Sequence, residues 1–540
     1  MMFRHFSRRF AYSCIHARTF DNRTRLFLGT TLTTAIYGLY TLNTIHADEE
    51  TPSKPARKWT DPDAGLTVST LDELLHKHET SFIPDEGRGI ARQDATAILP
   101  KPGTLYLRAM FYPLPSHCWG TFGILTSNPA PLTPPSGPYP ERISNAAAHV
   151  LSHNLNAAIV GRLADLFSSH VPIPSFYADR LAYGEGIGGN GGARPYPPPE
   201  EIDNAIKEAF LAVDAMIVKE PVDNILNSKH SKPITKATAV NTLNAGYASA
   251  GAIFGFFESD TRVLKIALTG DSRAVLGRRI PINSKAKHGK EEFEFDVEVL
   301  TTEQTASNPS ERARLIEEHP GESSTLFSSF FRPLSSPTRA FATGPLKWPR
   351  SIQERLHADF LGDPPPPATQ YLSPPYLTAE PVITTVEVRP GDFLVLGNAA
   401  LFKQLSNEEV IGLTGAWLNV NKRRVYTTPE NAYLSSTSSE PVSASFTPAV
   451  QPYQPLLERS DLPVNPRFRA GLSWFKSKSP PKSTQDSQKF LNVDTNAATH
   501  LVRNALAGAD RDLLEALLRT PEPRTKKLWD DIGVHVIFFQ

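Results

Sequence analysis

The sequence predicts an α+β fold, and three features of the chain point to it. Two long segments, 142–168 and 200–217, place apolar residues three and four apart, the spacing of an amphipathic helix. Short apolar runs bounded by turn residues follow, as strands do: AGAIFGFFES, RVLKIALTG, RAVLG, PVITTVEV, DFLVLG and VHVIFF. The order is helices, then strands, then more helix and strand, so a strict βαβ alternation is not expected. With 540 residues, 40% of them hydrophobic, the chain has the apolar material for a large core, which excludes global disorder.

Taken in order, the chain begins with an address. Residues 1–25 carry Arg4, Arg8, Arg9, Arg18, Arg23 and Arg25 against one acid, Asp21, the composition of a mitochondrial presequence. Leu26 to Ile45 is uncharged and long enough to cross a bilayer at 1.5 Å per residue, so it reads as a transmembrane helix and an inner-membrane tether. Residues 46–65 are a polar linker and 66–540 the folded material. In the helix at 200–217, Glu200, Glu201 and Asp203 enrich the start, where the helix dipole favours negative charge. Near 128–141, 186–199, 361–376 and 430–487 the chain turns rich in Pro, Gly or Ser, and these stretches are expected to lie outside the core as insertions.

Composition excludes several functions. The 56 basic residues balance 56 acidic ones, so no net charge draws the chain to nucleic acid. Cys14 and Cys118 are the only cysteines, too few for a disulfide framework or a Cys-rich zinc site. The 15 histidines include no HExxH. The glycine run Gly186–Ala193 lacks a Lys-Ser/Thr ending, and reads as flexible insertion rather than a phosphate-binding loop. Lys526 and Lys527 read as solvated surface.

GDSRAVLGRR, Gly270–Arg279, is a distinctive string in a turn between two strands. Others follow in register: LTTEQTASNPSERARLIEEHPGE, PTRAF, PPYLTAEPVI, DFLVLG, LSNEEVIGL, NAATHLVRNAL and WDDIGVHVIFF. Together they resemble the metal-dependent PPM-type (type 2C) Ser/Thr protein phosphatases. EEHPGE, PPYLTAEP and NAATHLVRNAL resemble the mitochondrial branch that includes the pyruvate dehydrogenase phosphatases. The resemblance implies a four-layer αββα sandwich, a central antiparallel β-sandwich flanked by helices. It also implies two Mg²⁺ or Mn²⁺ ions held by carboxylates at one end, activating a water for attack on phosphate.

Position by position, the resemblance places a carboxylate where this chain often has none. The metal-bridging Asp after the Phe122–Leu125 strand becomes Thr126. In the Ser-Asp-Gly-Leu-Trp-Asp motif, Ala399 and Lys403 replace the two Asp residues. In Arg-Ala-Phe-Gly-Asp, the Asp becomes Thr343. Near the start of the domain, Arg92 or Gln93 stands at an acidic ligand position and Asp94 survives. Family glycines become Ser127, Ala342 and Ala400. Two family metal positions remain acidic, Asp530 and Asp271; Asp271 reads first as a structural turn residue, and Asp530 first as a solvated loop acid.

Intact scaffold strings with substituted ligands imply a mitochondrial pseudophosphatase, without catalytic residues and without a metal at full occupancy. Its expected role is regulatory, binding a phosphoprotein or a dehydrogenase complex. Two alternatives stay open: an active metal-dependent, pyruvate dehydrogenase phosphatase-like enzyme with a rearranged carboxylate site, and a membrane-tethered scaffold.

Overall fold

Strand residues alternate between two apolar environments, and that alternation builds the layers. A computed structural model describes residues 75, 80–82, 90–97, 104–113, 118–127, 145–170, 197–227, 234–259, 261–280, 293–425, 456–465, 489–520, 524 and 528–540. All lie within Leu66–Gln540, one compact unit. The presequence at 1–25, the Leu26–Ile45 segment, the linker at 46–65, the insertion at 128–141 and the Gly186–Ala193 run lie outside the described residues. No described helix is long and apolar enough to cross a membrane.

One sheet has the order β1 (Thr80–Phe82), β2 (Ile90–Ala97), β12 (Ile532–Phe539), β11 (Phe393–Gly397), β7 (Arg273–Ile280), β8 (Glu294–Val299). The other runs β10 (Val382–Glu387), β6 (Val263–Thr269), β5 (Ser249–Glu258), β4 (Cys118–Ser127), β3 (Thr104–Pro113), with the short β9 (Phe341–Ala342) also paired to β5. All the paired strands are antiparallel.

Between the sheets, Phe122, Ile124, Ile253, Phe257, Ile266 and Leu268 meet Leu276, Leu394, Leu396, Ile537 and Phe539. The alternate residues face outward. Ala252, Phe254 and Phe256 pack under α1 (Ala146–Ser169), α2 (Pro199–Val218) and α4 (Lys236–Tyr247), with α3 (Glu220–Asn227) beside them. Val275, Phe393, Val395, Val534, Val536 and Phe538 pack under α7 (Ala399–Gln404), α8 (Asn407–Val425), α9 (Ala497–Leu506) and α10 (Arg511–Arg519). Two sheets with helices on both outer faces make the expected αββα sandwich. The helices at 142–168 and 200–217 form as α1 and α2, and all six apolar runs form strands. Gly255 leaves room for the ring of Phe122, its partner across the β4–β5 pair, which a Cβ would meet at 2.1 Å.

The expectation for the Pro-rich stretches needs correction in part. Tyr371 and Tyr376, inside 361–376, are buried in a satellite core with Phe330, Phe331, Leu315 and Leu346, beside α5 (Pro309–Glu318) and α6 (Arg350–Phe360). Leu462 and Val464, inside 430–487, are buried against β8 and α8. A few large apolar residues anchor segments whose average composition is that of a loop.

His500 is buried in α9, with its Nδ1 3.2 Å from Asn504 Nδ2. Burial pushes its imidazole down to about 4, only partly opposed by the Asp494 charge. The unfolded chain therefore binds a proton here before the folded one does, and stability falls as pH drops from 6.5 toward 4. The expected loss is about 3 kcal/mol by pH 4 relative to pH 7. Denaturant titrations across that range should show it in the wild type, and His500→Gln should lack that component.

Candidate functional site at one end of the sandwich

The substituted positions converge. β4 ends at Ser127, opposite Ala250 near the start of β5, and β6 ends at Thr269, opposite Ala252. β7 begins at Arg273, opposite Gly397 at the end of β11, and β12 begins at Ile532, opposite Ala97 of β2. Thr126, Gly270–Arg273, Thr343, Ala399–Lys403 and Asp530 thus gather at this end. Register also brings Asp94 here, opposite His535 and Thr80, with Gln93 and Arg92 following it inward.

The turn that carries Asp271 needs glycine. Gly270 has φ +120°, and a Cβ there would lie 3.2 Å from the Cα of Gly251, the residue paired with Thr126. Gln304 bonds it from both sides, its side chain accepting from Gly270 N at 2.8 Å and its amide donating to Gly270 O at 3.0 Å. Burial raises Asp271 to about 6, helped by the charges of Glu303 and Asp530 and opposed by Lys403.

α7 begins at Asn398, whose Oδ1 accepts from Leu401 N and Gly533 N, while its Nδ2 donates to Asp531 O. This cap joins α7 to the start of β12. Ala399 is the first helical residue, and Ala400 is buried. Lys403 leaves the last turn and its Nζ lies 3.6 Å from Asp530 Oδ2, both side chains being largely exposed. Thr126 is buried, 6% exposed, and its hydroxyl finds no partner among the described residues.

Ala342 and Thr343 both occupy the left-handed region, at φ 58° and 55°. That is a backbone that glycine favours, and here both residues carry β-carbons. Ion pairing holds it in place. Asp214 accepts from Ala342 N at 2.8 Å and pairs with the buried Lys347 at 2.7 Å, which also donates to Ala340 O. Thr343 N donates to Ala248 O at 2.7 Å.

Beside this end lies a cavity of about 500 Å³, lined by residues that include Arg273, Glu303, Phe402, Asn407 and Glu408. Arg273 donates to Glu303 at 2.6 Å and to Asn407 at 2.7 Å, over the Phe402 ring. Glu303 was not singled out by its sequence. Its place beside Asp271 depends on the crossing of two chain segments, and only its position within the LTTEQ string hinted at it.

The comparisons agree with this geometry. A model of the family described as "Protein phosphatase 2C" matches residues 197–434. A protein phosphatase 2C homologue of Schizosaccharomyces pombe is 30% identical over 345 residues, 64% of each chain. Residues 197–434 match the protein phosphatase 2C family. Within it, mitochondrial pyruvate dehydrogenase (acetyl-transferring) phosphatase 1 of Saccharomyces cerevisiae is 27% identical, over 88% of this chain and 73% of the relative. The human enzyme of that name is 28% identical over 56% of this chain and 50% of its own length. The chain therefore spans between half and three quarters of these relatives. A solved serine-threonine phosphatase 2C from Toxoplasma gondii aligns at 12% identity with a TM-score of 0.34, over 86% of this chain and 94% of that one.

Phosphatases of the 2C type depend on Mg²⁺ or Mn²⁺, and the residues at this end do not fit a pair of such ions. Hard dications take carboxylate oxygens. Ala399 offers no donor, Thr126 offers a neutral hydroxyl, and Lys403 sets an ammonium against Asp530. Thr343 spends its hydroxyl on the Phe341 carbonyl, 3.2 Å away. Among the described residues, no three His, Cys, Asp or Glu side chains are grouped to hold a metal. Asp271 and Asp530 share this end but form no such group.

Proposed function

We propose that this protein is a mitochondrial pseudophosphatase of the 2C family, a folded binding or regulatory module that does not rely on metal-dependent hydrolysis. The observation that carries the reading is the Lys403–Asp530 ion pair beside Ala399, a cation and a methyl group where hydrolysis of this kind needs carboxylates. The scaffold around them is intact, including the Asn398 cap and the Gly270 turn. Loss of function without selection would damage both alike.

The Arg-rich start and the named mitochondrial relatives support a mitochondrial address. The relatives' names point to a phosphorylated dehydrogenase-complex subunit as the partner, and the apolar Leu26–Ile45 stretch supports an inner-membrane tether. What the chain itself would do is hold a phosphoprotein surface against the sandwich end without turning it over.

The test is turnover of a phosphoserine peptide by the purified full chain with Mg²⁺ and Mn²⁺ titrated, beside an active 2C phosphatase. We expect no metal-dependent turnover from folded protein, against the 10⁶-fold or greater acceleration that enzymes ordinarily reach. Robust turnover abolished by chelator would sink the reading and favour an active enzyme with a rearranged site.

A further inference from the structure

The end of the sandwich supplies its own cation. Lys403 sits in the last turn of α7, and the Asn398 cap of that helix is bonded to Asp531 O and Gly533 N. The element carrying the ammonium is therefore pinned to the segment carrying Asp530, 3.6 Å away. Asp271 lies close enough to feel the charges of Glu303, Lys403 and Asp530, and Arg273 pairs with Glu303 at 2.6 Å. Asp271 and Asp530 bring carboxylates from separate chain segments to this end, and like charges near one another repel unless a cation balances them.

We propose that Lys403 is a tethered counter-cation that takes over the charge-balancing role of a divalent ion at this end of the sandwich. The protein's fold and binding surface are then independent of Mg²⁺ and Mn²⁺, and the ammonium repels any dication that approaches Asp530. For a dication at about 5 Å in water, removing one unit charge changes affinity about tenfold. The proposal rests on the pseudophosphatase reading, but its test measures metal uptake rather than turnover, so the two can fail separately.

Mn²⁺ would be titrated into the full-length wild type, Lys403→Met and the double variant Ala399→Asp/Lys403→Asp. Free Mn²⁺ is read by electron paramagnetic resonance, and melting temperature is followed alongside. The wild type should bind Mn²⁺ only weakly, and should melt alike in Mg²⁺ and in chelator. Lys403→Met should raise Mn²⁺ affinity about tenfold. The double variant should bind about one Mn²⁺ per chain and melt higher as Mn²⁺ is added. Lys403 is largely exposed, so its replacement by Met should leave folding intact and keep the test informative if the double variant misfolds. A wild type whose melting temperature falls on chelation would overturn the proposal. So would folded variants that bind no more Mn²⁺ than wild type.

Discussion

Replacing Asp494 with Ala should cost about 3–5 kcal/mol of stability, because it strands a buried guanidinium. Asp494 is fully buried and Arg503 nearly so. Arg503 Nε donates to both carboxylate oxygens at 3.0 and 2.9 Å, and Nη2 to Oδ1 at 2.8 Å. The backbone carbonyl of Asp494 accepts from Trp417 Nε1 at 2.9 Å, so the pair fastens the lead-in to α9 onto α8. Chemical denaturation measures the loss. A double variant, Asp494→Leu with Arg503→Met, should lose much less than Asp494→Ala, since an apolar pair of similar volume removes the uncompensated charge. A single-variant loss under about 1 kcal/mol would mean that water reaches Arg503.

This pair also shows what a sequence can reveal. NAATHLVRNAL marks α9 through its apolar spacing and its Asn496 cap, which accepts from Ala498 N and Thr499 N. Nothing in the string tells that Arg503 turns back to Asp494. The strands were legible because both faces are buried, which writes them as continuous apolar runs such as IGVHVIFF. Tyr371 and Tyr376 were not, because their Pro-rich setting reads as loop while their rings fill the satellite core.

At the candidate site, identities were legible and partners were not. That Ala399 brings no ligand follows from its side chain alone. That Lys403 reaches Asp530 depends on α7 and β12 meeting through Asn398, residues far apart in sequence. Glu303 belongs to the same class, recognised only once the Gly270 turn and the LTTEQ segment lie side by side. Long-range pairing is where single-sequence patterns run out, since periodicity reports a residue's face and not its neighbour.

Glu311→Ala should have an effect as large as Asp494→Ala, about 3–5 kcal/mol, and it separates scaffold from chemistry. Glu311 lies in the first turn of α5 and is buried. It accepts from Thr338 Oγ1 at 2.8 Å, Arg339 Nε at 2.9 Å and Arg314 Nη2 at 2.8 Å. Burial alone would raise its carboxyl, but the Arg314 bond and charge, then Arg339 and Thr338, outweigh it and hold the carboxyl below its ordinary range. Arg339 opens the string that ends in Ala342 and Thr343, so the motif that bonds Glu311 leads directly into the left-handed pair. Glu311→Gln keeps the shape and loses the charge, and should fall between wild type and Ala. The acid response distinguishes the two buried groups. Because its folded value is depressed, the Glu311 contribution is present above the ordinary glutamate range and lost as pH falls through the folded value. His500 acts earlier, between pH 6.5 and about 4. A His500→Gln variant should therefore stay stable through the first window and weaken in the second. Glu311→Ala should start less stable and lack the second loss. If both variants kept the full wild-type acid profile, these two buried groups would not be what sets the acid stability of the scaffold.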